Sequence, residues 1–114
     1  MTADDFRRLA LAMPEAVESA HMGHPDFRVG GKIFAGLDPA GARGNVKLAP
    51  DQQGVLTAAE PRMFVPCNGA WGAKGWTYLL LEVADEPTAV SALRMAWRNT
   101  ATAKMALRLD EAGS

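Results

Sequence analysis

Several things are scarce in this chain of 114 residues, and each scarcity closes a door. There is one cysteine, Cys67. A single thiol forms no intramolecular disulfide and excludes a multi-cysteine zinc site. Histidine occurs twice, as His21 and His24, and tyrosine once, as Tyr78. No apolar run approaches the roughly 20 residues of a membrane-spanning helix. Net charge is nearly absent as well, since 12 basic and 13 acidic side chains leave −1. That balance excludes both a uniformly basic coat for nucleic acid and an acidic solvating tail. The opening Met1-Thr2-Ala3-Asp4-Asp5 is acidic. A secretion or transit signal would be basic there, which favours a cytoplasmic protein.

What is present is a hydrophobic content of 48%. That is too high for disorder and enough for one core, and no repeat or linker divides the chain. One domain over residues 1–114 is the expectation. Phe6, Leu9, Ala10 and Met13 fall at helical spacing, predicting a helix over residues 3–13. Thr2 and Asp5 can form its capping box, and Pro14 stops it. From Val17 to Leu48 the pattern becomes strands and turns. Strands are predicted at Val17–Met22, Asp26–Val29, Lys32–Leu37 and Asn45–Leu48, with Gly23-His24-Pro25 as punctuation after the first. Gly30-Gly31 supplies the positive φ of a two-residue hairpin. Residues 51–60 read as a short helix capped by Asp51, with Gly54 costing about 1 kcal/mol. Residues 62–66 read as a further strand, Asn68–Gly75 as a glycine-rich loop, and Trp76–Val83 as the clearest strand in the chain. Val90, Leu93, Trp97, Ala101 and Met105 then form a helical stripe, with a break expected near Asn99–Thr102. The expected class is α+β: an antiparallel sheet of four or more strands, with amino- and carboxy-terminal helices packed on one face.

Groups able to carry catalysis are few. A strand would send His21 and His24 to opposite faces, and with Asp26 they offer at most a poor metal cradle. Cys67 has no basic helix start and no histidine assigned to it, which fits a structural thiol. Gly30-Gly31-Lys32 lies between strands, whereas a phosphate loop opens a helix. Neither an enzyme, nor a cofactor, nor a metal site is expected. The second signal is charge placement. Between residues 28 and 81 stand six basic side chains and three acidic ones. Lys32 and Lys47 alternate with apolar neighbours and are expected on the polar face of the sheet. With Arg28 and Lys74 they would form a basic patch beside Trp71 and Trp76, able to meet phosphates and stack on a base. Trp97 lies on the helical stripe and is expected in the core. Trp71, among glycines, has no periodic reason for burial and is the best aromatic candidate for a contact.

His24-Pro25-Asp26-Phe27-Arg28-Val29-Gly30-Gly31-Lys32-Ile33-Phe34-Ala35 is followed by Val46-Lys47-Leu48, Trp71-Gly72-Ala73-Lys74-Gly75-Trp76-Thr77 and Ala96-Trp97-Arg98. In order and spacing these resemble the MmcQ/YjbR family of small bacterial proteins. The resemblance implies a frataxin-like (CyaY-like) two-layer fold and a DNA-binding label, and brings no catalytic residues. Family members often carry a basic residue where Ala73 stands, and here Lys74 alone charges that turn. Two functions follow as expectations. The first is a low-specificity DNA-binding module using Arg28, Lys32, Lys47, Lys74 and Trp71. The second is a small-molecule or protein-partner module using the Asn68–Gly75 loop. A frataxin-like iron site would want a dense carboxylate ridge on the first helix, where only Asp4 and Asp5 stand.

Overall fold

Helix α1 (Ala3–Leu11) begins with the capping box read from the sequence: Thr2 Oγ1 accepts from the Asp5 amide and Asp5 accepts from the Thr2 amide. Phe6, Leu9 and Ala10 make its buried face. The computed structural model describes residues 1–105 and 107. After α1 come strands β1 (Val17–His21), β2 (His24–Val29), β3 (Lys32–Leu37) and β4 (Arg43–Lys47). Helix α2 (Pro50–Ala59), strand β5 (Phe64–Pro66), helix α3 (Gly69–Ala73), strand β6 (Trp76–Leu80) and helix α4 (Glu86–Thr100) complete the described elements. All six strands form one sheet in the order β1-β2-β3-β4-β6-β5, and every neighbouring pair is antiparallel.

The layers follow from alternation. Phe27, Ala35, Val46 and Thr77 are successive cross-strand partners, all of them buried. They face α1 and α4, which pack against each other and onto β4. Leu93, Ala96 and Trp97 of α4 are fully buried there. The ring of Phe6 lies so close on Gly44 that a Cβ at that position would stand 2.6 Å from it. Both helices cover one side of the sheet, as the two period-3.6 ends of the sequence predicted. The other side is left open.

Local departures from the sequence reading have simple causes. The first hairpin turns at Met22-Gly23, both at positive φ, and takes His24 and Pro25 into β2. Helix α2 starts at Pro50, with the Gln52 side chain accepting from the Ala49 amide at 2.8 Å; Asp51 is inside the first turn rather than its cap. The expected Asn68–Gly75 loop contains α3. Strand β6 ends at Leu80, and Val83, expected as its last residue, lies exposed in the turn beyond. Helix α4 stops at Thr100 because Ala101 is extended, which is the expected break. The positions of the strand ends are therefore set by turns, where side-chain periodicity carries little information.

Candidate functional site

The open side of the sheet is built on one row of partners. Asp26, Gly36, Asn45, Tyr78 and Val65 stand directly opposite one another across β2, β3, β4, β6 and β5. Directly paired residues share a face, so this row is the floor of a surface. Four of its members, Asp26, Gly36, Asn45 and Tyr78, line a cleft of about 460 Å³. His21, Met22 and His24 of the first hairpin edge one side, while Cys67, Trp71 and Trp76 edge the other.

The aromatic wall is held from beneath. Gln53 of α2 donates to the carbonyl oxygens of Gly72 and Trp76, at 3.0 and 3.1 Å, and to Thr77 Oγ1. Thr77 in turn donates to the Gly75 carbonyl at 2.8 Å. A Cβ at Gly72 would fall 1.8 Å from the Cys67 carbonyl oxygen, and one at Gly75 would fall 1.9 Å from that of Leu48. The glycines of this segment therefore permit close backbone approach, and α3 is pressed onto the sheet edge. Trp71, 55% exposed, rides on α3 and stacks on Trp76 with ring centroids 5.3 Å apart. Exposure of Trp71 agrees with the absence of any periodic reason to bury it.

The charged groups of the floor are paired with one another. Arg28 grips Asp26 through two hydrogen bonds of 2.8 and 3.1 Å, and Asp26 is nearly fully buried. That carboxylate raises the Arg28 pKa above its ordinary value. Arg43 donates to Asp38 at 3.0 Å and lies over the Tyr78 ring, 4.0 Å from its centroid. Burial pushes the Asp38 pKa up, but hydrogen bonds from Arg43 and the Ala42 amide outweigh it and leave the group below its ordinary value. Burial pushes the Cys67 thiol up to about 11, which Arg43 and Tyr78 offset only in part. Such a thiol is protonated at neutral pH and a poor nucleophile.

The candidates from sequence divide between faces. Lys47 is the cross-strand partner of Trp76 and shares the open face with it, and Lys74 follows α3 on the exposed turn. Arg28 is on this face too, held by Asp26. Lys32 is the partner of Val29, a core residue, because an irregularity between Phe27 and Arg28 shifts the β2–β3 register. It therefore rises from the helix-covered side, away from Lys47. His21 and His24 are direct partners across the Met22-Gly23 turn. They share one face, where a single strand would have separated them. Among the described residues, no three His, Cys, Asp or Glu side chains are grouped as a metal site would need. Among them too, no helix is long and apolar enough to cross a membrane.

Sequence reasoning missed Gly36, Asn45 and Arg43. The signal for Asn45 was available: it lies two residues from Lys47 on the same strand face. A glycine inside a strand, such as Gly36, also marks a place of close approach.

The YjbR family model matches residues 11–99. The chain belongs to the YjbR family. This YjbR-family protein is also similar in fold to a Deinococcus radiodurans protein with a DUF419 domain, known from a crystal structure. The TM-score is 0.75 at 20% sequence identity, over 96% of this chain and 88% of that one. No curated protein matches the chain in sequence.

Proposed function

We propose that this YjbR-family protein is a non-enzymatic, cytoplasmic binding module whose ligand site is the cleft on the open face of the sheet. The observation that carries this reading is Trp71, a large indole fixed in an exposed position against Trp76 at the edge of that cleft. A concave, largely apolar site with a few convergent polar groups is the usual form of a small-molecule pocket. The non-enzymatic part rests on the chemistry of the lining. The thiol of Cys67 is held protonated, both carboxylates are engaged by arginines, and neither histidine has a hydrogen-bonded partner to orient it among the described residues.

The expectation of DNA contact has narrower support. Arg28 is engaged by Asp26 and Lys32 lies on the other side of the sheet, so Lys47 and Lys74 are the cations beside the tryptophan pair. Two phosphate contacts bind weakly at physiological salt. The cleft reading is therefore preferred. Its test is a set of neutral aromatic fragments added to ¹⁵N-labelled protein. Shifts concentrated at Gly36, Asn45 and the indole N–H groups of Trp71 and Trp76 are expected. Shifts confined to α4, or none at millimolar fragment, would overturn it.

A further inference from the structure

We propose that the cleft selects a neutral, flat, fused-ring heteroaromatic carrying a hydrogen-bond donor and an acceptor side by side on one edge, as a lactam or amidine does. This rests on the cleft being the ligand site. Flatness follows from the walls: the Trp71–Trp76 stack offers a broad indole surface beside a sheet floor. Its rigidity comes from Gln53 and from the contact of Gly72 with Cys67, so stacking there costs little reordering. The size agrees, since about 460 Å³ lies within the range of pockets for drug-sized ligands.

The edge requirement comes from Asn45. A Cβ on Gly36 would stand 3.1 Å from Asn45 Oδ1 and 3.2 Å from Nδ2. The carboxamide therefore lies across Gly36 with both heteroatoms over the gap that the missing side chain leaves. The side chain is half-buried, and among the described residues it has no hydrogen-bond partner. A carboxamide offers an acceptor and a donor next to each other, and its complement is a donor beside an acceptor. Neutrality follows from charge. Asp26 and Asp38 are matched by Arg28 and Arg43, leaving no unpaired carboxylate or guanidinium in the lining to attract an ion.

Lumichrome, a neutral three-ring lactam, and acridine, flat but without such an edge, serve as probes, both read by their own fluorescence anisotropy near pH 7, where both are neutral. Wild-type protein is expected to bind lumichrome saturably and acridine more weakly. Trp71→Ala should weaken both, by about tenfold, because stacking is lost. Asn45→Ala should weaken lumichrome by about tenfold and leave acridine unchanged. Asn45→Asp, which keeps the shape but not the amide donor, should behave like Asn45→Ala, and near-ultraviolet circular dichroism verifies that each variant is folded. Absence of lumichrome binding, or binding indifferent to both Asn45 variants, overturns the proposed ligand class. If the aromatic fragments still shift the cleft residues in that case, the cleft remains the ligand site. If they do not, both readings fall together.

Discussion

The indole Nε1 of Trp97 donates to the carbonyl oxygen of Pro14 at 2.8 Å, tying the last turn of α4 to the segment that leaves α1. The ring itself is fully buried. Trp97→Ala should therefore destabilise the domain by about 3–5 kcal/mol, the usual cost of removing a large buried aromatic. Trp71→Ala should cost about 1 kcal/mol or less, because only its stacking on Trp76 is lost. Urea denaturation of both variants measures the difference. Equal losses would mean that Trp71 supports the core as Trp97 does.

Two glycines in helices should respond in opposite senses to alanine. At Gly72 the added methyl carbon meets the Cys67 carbonyl at 1.8 Å, and backbone must move to admit it. Gly72→Ala should lose at least 1–3 kcal/mol, roughly the cost of overpacking. At Gly54, inside α2, nothing lies within 4 Å of the added carbon. Gly54→Ala should gain about 0.5–1 kcal/mol through reduced freedom of the unfolded chain. Thermal unfolding of the two variants should move Tm down and up respectively.

Acid should expose the contribution of Asp38. Its folded pKa lies below the ordinary carboxylate value, so folding favours the ionised form. The stabilisation is complete above the unfolded pKa and is lost as pH falls through that value towards the lowered folded one. Asp38→Asn should therefore be less stable than wild type near neutrality, with the gap closing between about pH 5 and pH 2. Denaturant midpoints across that range would check the sign. A gap that widened in acid would contradict the pairing with Arg43.

Salt dependence separates the two uses of the open face. If DNA binds through Lys47 and Lys74, log affinity against log salt should have a slope of about −2, near 0.9 per phosphate engaged. Lys47→Ala should reduce that slope by about one, while Lys32→Ala, on the opposite side, should leave it unchanged. Anisotropy of a labelled duplex across a salt series gives both numbers. A steep slope that fell with Lys32→Ala would mean that a different surface meets the phosphates.

The sequence by itself determined the class of fold and most of its elements. Phe6, Leu9 and Ala10 repeat with the period of a helix, and Val46 and Leu48 with that of a strand; such periods report which side of an element is buried. Thr2 with Asp5 and Gly30 with Gly31 are local devices, complete within a few residues, and they were legible for that reason. The cleft was not. Asn45 lies beside Gly36 and opposite Tyr78 only because β4 pairs with β3 on one side and β6 on the other. Lys32 left the face of Lys47 because one irregularity in β2–β3 pairing exchanged the sides of the sheet. His21 and His24 came together because the chain turned between them. Register and turn position are properties of two strands at once. Tertiary structure alone decided which polar groups share a face, because pairing turns distant positions into neighbours.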